Sequence, residues 1–478
     1  MIVVMPKSLS LEALVDARPP KISGFKVDKL KYIINLILKA SQYDKDLLLE
    51  EFQPVSSRSL KVIRNYRKYI DYLIDEGVIE TNEHYIVGKK SKGYKITKKL
   101  RGGLKLTEIK DFTLKKYVKE TDGKHSSIRG LNYLNKWYND KLALDYELML
   151  NFHLEEFIIK RAKKSLRDYD MLKKKYKLPY NQYKHAVIGI MKLKQGSYSL
   201  KRDSNVRRYH TVLTNMRGLT RNALSYDGEE LVSIDIKNSQ PYLSILLLDS
   251  SFWIGILKAE NEKIKIEQKS KAKIQQNNLL FNHLPTNLTK QLTNIMCRKI
   301  AETLLNTEVS AYSEFVVNGE LYEYLVEVFK SDLVLQEYSR KHVKDEVFRM
   351  MFSGNRYSSN TKKIFAQHFP EVHKVFTIIK SKDKSLLPRL LQAVESYLVI
   401  DVIAKRISIE HPEAPIFTIH DSTATTQAFV RPVTQIMKHE LKSAIGYEPK
   451  LHVERWNKRI INDTLEGLQR KAELCDVA

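Results

Sequence analysis

With 478 residues, 43% of them apolar and 29% charged, the chain is too long for one ordinary core and too apolar for a disordered polymer, so two to four folded domains are expected. No run of 18 apolar residues occurs, residues 1–7 are too short for a signal-peptide core, and Cys297 and Cys475 form no CxxC pair. A membrane span, a secretory leader and a zinc knuckle are therefore not expected, and a reducing, cytoplasmic setting (a bacterial or phage-infected cell, with an organelle as alternative) is. Eighty-one Lys and Arg against 56 Asp and Glu leave a net charge of +25. That excess favours a polyanionic partner, because neutralising phosphates releases condensed counterions.

In chain order, residues 1–24 read as an irregular lead-in containing Pro19, Pro20 and Gly24. Apolar spacing predicts a helix over 27–41. A second helix is predicted over 60–76, with Ser56 or Ser57 as cap, Val62, Ile63, Tyr66, Ile70, Leu73 and Ile74 on its stripe, and Gly77 as stop. Short strands are predicted at 78–80, 85–87 and 94–96, with a Lys-rich turn over 88–93. Helices followed by such a hairpin resemble a winged-helix domain, spanning 25–100. Such a domain docks a helix in a groove and lays its wing on the backbone, and protein-docking versions share the outline.

Arg101, Gly102 and Gly103 read as a linker, and 104–200 as a basic helical region. Residues 160–210 hold 16 Lys and Arg against 3 Asp and Glu, interleaved with Tyr169, Tyr176, Tyr180, Tyr183 and Tyr198. Such a mixture suits a surface that tracks a phosphate backbone, and equally a solvated helix face. Residues 201–478 alternate strands with long helices.

The chemistry concentrates in that last part. Leu231, Val232 and Ile234 predict a short buried strand with Asp235 at its end, followed by a helix that Asn238 or Ser239 would cap and that Pro241 suits. A carboxylate at the end of a buried strand is costly to desolvate, and a bound cation would offset that cost. A lone Asp there is more often a cap. Residues 415–425 read as a second apolar strand, a polar turn with His420 and Asp421, and a return strand. Two carboxylates at the ends of strands in one sheet are the minimum for a two-Mg²⁺ site, with Mn²⁺ as an alternative ion. Ile236, next to Asp235, is a third metal-contact position.

Between these stretches, Arg340, Lys344, Phe348 and Phe352 recur every four residues and so share a helix face. Two cations followed by two rings match the phosphates, sugar and base of a nucleoside triphosphate. A helix whose Phe residues are core has the same spacing. Residues 206–221 combine basic, amide and hydroxyl groups, including Arg208, Asn215 and Arg221. Gln392, Glu395 and Ser396 open a long apolar helix running through Ile403.

In this order, these segments resemble the palm and fingers of family A (polymerase-I-like) DNA polymerases and of the related phage-type single-subunit RNA polymerases. The likeness covers about 200–455. Asp235 matches the motif A aspartate, and His420, Asp421 and Ser422 match motif C in its RNA-polymerase form. Arg340, Lys344 and Phe352 match the Arg, Lys and Tyr of motif B. Arg208, Asn215 and Gln392 are similar to template- and primer-contacting positions, with His420 beside them.

The resemblance implies an α+β right-hand polymerase of palm, fingers and thumb with an N-terminal winged-helix domain, the thumb at 104–200 and palm and fingers at 201–478. It implies DNA template–primer and nucleoside triphosphates as partners. No proofreading exonuclease is expected. The DNA enzymes carry a Glu five residues after the motif A aspartate, which excludes a ribose 2′-OH; here that position is Gln240. Phe352 replaces the motif B Tyr, and Phe348 stands where the DNA enzymes carry Phe or Tyr. A DNA-dependent DNA polymerase of a phage, plasmid or mobile element is expected first. A single-subunit RNA polymerase or primase, a non-enzymatic replication initiator, and a metal nuclease using Glu395 as third ligand are the alternatives.

Overall fold

A computed structural model describes the chain except residues 43, 87–90, 124–129, 171–172, 259–279, 306–309, 332–338 and 478. The centre is a six-stranded antiparallel sheet built around Glu229–Ile236. That strand follows Leu224–Tyr226 through a two-residue turn. Asp227 and Gly228 both take positive φ, the geometry that fits the twist of a tight hairpin. Leu142–Leu144 extends this side of the sheet. On the other side, Ser422–Thr426 pairs along residues 231–235 and itself pairs with Phe417–Ile419. Leu451–Arg455 also pairs with the central strand, setting Asp235 opposite His452.

Alternation decides what each face carries. Val232, Ile234 and Ile236 share one face and are 2%, 0% and 2% exposed, while Ser233 and Asp235 share the other. The helices Val430–Ile445 and Leu386–Ser396 pack into the same core as the sheet. Leu386–Ser396 runs on through a π-helical stretch, Tyr397–Ala404, into Lys405–Glu410, so the long helix expected through Ile403 is present and longer.

The N-terminal part has its own core. The first 24 residues are not irregular. Ile2–Pro6 is a strand, and the Leu11–Ala17 helix is capped by Ser10. The apolar run Val3-Val4-Met5 buries itself by pairing with Leu104–Glu108, across the expected linker. Residues 101–103 therefore join two parts of one unit. Helix Val27–Lys39 forms as expected. The predicted 60–76 helix is divided into Ser57–Leu60 and Tyr66–Asp75 by Asn65, which takes the left-handed conformation that Asn tolerates. Ser56 caps the first piece, and Gly77 follows the second with φ +63°. Gln53–Pro54, Gly93–Ile96 and Ile79–Thr81 form a three-stranded sheet. The expected wing tip at 88–90 lies outside the described residues.

Residues 104–200 do not form a separate basic helical unit. Leu104–Glu108 belongs to the N-terminal core and Leu142–Leu144 to the central sheet. Helices Tyr146–Ala162 and Pro179–Lys194 join the two. Met149, Phe152, Ile190 and Leu193 lie in the central core, and Phe157, Tyr183, Val187 and Ile188 in the N-terminal one. The basic count misleads because some of the charge is internal. Buried Lys160 reaches Glu156 at 2.9 Å and Asp168 at 2.9 Å. Arg217 forms a two-pronged pair with Glu156, and His153 Nδ1 lies 3.3 Å from it. Burial alone would raise the Glu156 carboxyl. The His153 hydrogen bond and the Arg217 and Lys160 charges overcome burial and hold it well below the usual carboxylate range. Among the described residues, no helix is long and apolar enough to cross a membrane.

Glu156→Gln would leave half-buried Arg217 without its carboxylate and Lys160 with Asp168 alone, and should destabilise the fold by roughly 2–4 kcal/mol in denaturant titrations at pH 7. A depressed carboxyl contributes stability above its unfolded pKa of about 4 and loses it as the pH falls further. The gap between parent and variant should therefore narrow below about pH 4.

Candidate active site

Backbone pairing brings the two aspartates together. Asp235 lies opposite Ser422, and Ile419 pairs with Ser422, so only His420 and Asp421 form the turn. His420 takes φ +58°, which closes this hairpin tightly beside the end of the central strand. Burial, and then the charge of Asp421, push the Asp235 carboxyl up to about 7, against the pull of Lys344 and Arg221. Burial also raises Asp421, against a backbone hydrogen bond, Ser239, and the charges of Arg208 and Lys344. Two half-buried carboxylates, both raised, form a site short of positive charge.

A third carboxylate stands behind them. Glu395, 2% exposed, accepts from Arg208 Nη2 at 2.6 Å and Nε at 3.2 Å, and from Gln240 Nε2 at 2.6 Å. Burial raises it to about 7, with Arg208 opposing and Asp421 and Asp235 adding. With both oxygens engaged, Glu395 is not arranged as the third metal ligand of a nuclease. Among the described residues no group of three His, Cys, Asp or Glu side chains forms a metal cluster. The donor set is two hard carboxylates, which suits Mg²⁺: it keeps several waters and shares substrate phosphates instead of filling a protein cage. Buried polar atoms without a partner collect here: Asn238 Nδ2, Gln240 Oε1 and Arg221 Nε. Native interiors leave few such atoms, and their concentration suits a site that a ligand completes.

The helix Arg340–Phe352 supplies the cations, with Ser339 as its cap. Its core face is Val343, Val347, Met350 and Met351. Phe348 and Phe352 are half-buried instead and meet edge-to-face at 5.3 Å, with Phe352 packed against the central core. The exposed Lys344 acts on both aspartates and lies 6.0 Å from the Phe348 ring. Arg340 turns to Glu323 at 2.5 Å, stacked over Tyr322.

Asp235, Asp421, Lys344, Arg208 and Gln240 thus come together. Asn215 bonds its own helix through Thr211 O at 3.4 Å, and Gln392 is half-buried one turn before Glu395. The side chain of Ile236 is core. Asn238 occupies the cap position in a left-handed conformation without a side-chain capping bond. The sequence offers Glu395 only as the third ligand of a nuclease; its bridge from Arg208 to Gln240, and Arg221 acting on Asp235, come from the structure. The signal available was a Glu inside an apolar helix, which requires a partner.

No family model matches the chain, and no curated protein matches it. Among solved structures it is similar to the POL domain of Pol1 from M. smegmatis, in complex with DNA primer-template and dNTP. The identity is 13%, over 68% of this chain and 69% of that one, with a TM-score of 0.28. So low a score leaves the carboxylate pair and its neighbours as the basis for a functional reading.

Because the Asp235 carboxyl is raised in the fold, its charge costs stability as the pH rises from about 4, its unfolded pKa, through 7. In metal-free buffer, Asp235→Asn should be more stable than the parent at pH 8 by roughly 1–3 kcal/mol, with no gain at pH 4. Thermal melts in EDTA across this range check it, and equal stability at pH 8 would contradict the crowded pair.

Proposed function

We propose that this chain is a template-directed nucleotidyltransferase, most specifically a DNA-dependent DNA polymerase with a two-metal site at Asp235 and Asp421. The carrying observation is the strand register that sets these two carboxylates side by side under the charge of Lys344. Two Mg²⁺ ions held by this pair would lower the pKa of an attacking 3′-hydroxyl and stabilise the departing pyrophosphate. Lys344 binds the triphosphate, and Arg340 joins it by leaving Glu323. Phe348 and Phe352 present ring faces to the sugar and base.

Arg208 holds Glu395, and Glu395 in turn orients Gln240, so the position that tests the sugar has a carboxylate behind a neutral amide. This arrangement supports a DNA enzyme while keeping a ribonucleotide-using enzyme as the second reading. The N-terminal unit, with its small sheet on helices, serves as a duplex-docking head of winged-helix type.

Primer extension on a DNA template tests both levels. The parent should incorporate dNTPs in Mg²⁺, and Asp421→Asn should lose on the order of 10²–10³-fold or more in rate. Equal extension by both proteins would remove the metal assignment. Preferential use of rNTPs would move the protein to the RNA polymerases, and specific duplex binding without incorporation would make it an initiator.

A further inference from the structure

Between the N-terminal core and the Pro179–Lys194 helix lies a cavity of about 430 Å³, none of whose lining residues belongs to the carboxylate site. Its wall is largely apolar, with Ile37, Ile96, Phe157 and Tyr180. Six cations line it, Lys95, Lys98, Arg101, Arg161, Arg167 and Lys184, beside the amides of Gln53 and Asn181. The one carboxylate, Glu51, is already held by Lys95 at 3.0 Å and Arg101 at 3.5 Å.

Three features of this cavity lack a counterpart among the described residues. Lys184 is 2% exposed, and the charge that acts on it is the like charge of Arg101. Burial lowers its pKa to about 7. Tyr180 Oη is buried without a hydrogen-bond partner. The 16-residue helix Pro179–Lys194 begins in the wall with no side-chain cap, so its N-terminal dipole faces the same space. A buried, uncompensated ammonium is expensive to keep. One anion in the cavity would answer the ammonium, the hydroxyl and the helix end together.

The volume and the wall narrow the anion. A few hundred Å³ is the size of a small-molecule site, more than a bare phosphate fills. Phe157 and Tyr180 stand at 5.8 Å, and Arg101 lies over the Tyr180 ring. An adjoining basic hollow of about 500 Å³ shares Lys98, Arg101 and Arg161 and continues to Lys7 and Lys99. We propose that this seam is a second nucleotide-binding site, separate from the carboxylate pair, with the phosphate on Lys184, Arg161 and the helix N-terminus and the base against Phe157 and Tyr180. The nucleotide is either free or the phosphorylated end of a strand whose remainder follows the adjoining hollow. This inference does not rest on the polymerase reading.

The test uses the full chain in EDTA, with ATP carrying a fluorescent group on its ribose as probe. Saturable binding should survive Lys344→Ala and weaken at least tenfold in Lys184→Met, which removes an uncompensated buried charge and should melt no lower than the parent. Arg161→Ala gives a second reading should Lys184→Met fail to fold. Competition by unlabelled ATP alone assigns a free nucleotide, and competition by a 5′-phosphorylated but not a 5′-hydroxyl oligonucleotide assigns a strand end; either supports the site. Absence of saturable binding overturns the proposal, as do parent affinity in the seam variants, loss in Lys344→Ala alone, and inorganic pyrophosphate competing as well as ATP.

Discussion

The pairing of Glu229–Ile236 with Ser422–Thr426 governs the candidate site. Side chains alternate along a strand, so a slip of one residue would turn Asp235 to the opposite face, where Val232, Ile234 and Ile236 are packed. The apolar side chains on that face therefore hold the register, and the register holds the carboxylate. The two-residue turn at His420 and Asp421 then leaves Asp421 no position except beside the end of the central strand. Two raised carboxylates are the electrostatic consequence of packing that the core enforces.

The surroundings show how that cost is contained. Arg208, Lys344 and Arg221 bring positive charge toward the pair from three separate elements. Glu395 takes up Arg208 and Gln240 within a long helix that passes through a π-helical stretch directly afterwards. Such departures from α-helical pairing recur near functional sites. Here Tyr133 donates to the Ile400 carbonyl inside that stretch at 2.9 Å, and Arg202 pairs with Asp401 at 3.0 Å, so side chains from the 130s and 200s fasten the helix that carries Glu395.

The same economy joins the two halves of the molecule. The Pro179–Lys194 helix is buried along most of its length because it serves two cores at once, and the Glu156 cluster neutralises Lys160 and Arg217 at the join. Lys184 is left out of that neutralisation, which distinguishes it from the other buried cations of the region.

Much of this was legible in the sequence where the signal was local. The alternation around Leu231, Val232 and Ile234 marked the central strand, the polar interruption at 420–421 marked the hairpin, and the four-residue spacing of Arg340 to Phe352 marked the helix and its face. Gly77 marked a helix end. Local signals failed where a partner distant in sequence decides the outcome. Residues 1–24 become ordered only because Ile2–Pro6 finds Leu104–Glu108 about a hundred residues on. The basic run at 160–210 looked like one exposed surface because charge counts do not say which cations meet a carboxylate in the interior. Residue type and spacing determined which segments could carry a carboxylate, a cation or a ring. Only tertiary pairing decided that Asp235 and Asp421 meet, that Glu395 bridges Arg208 to Gln240, and that Lys184 faces a cavity, because each depends on the register and burial of chain segments far apart in sequence.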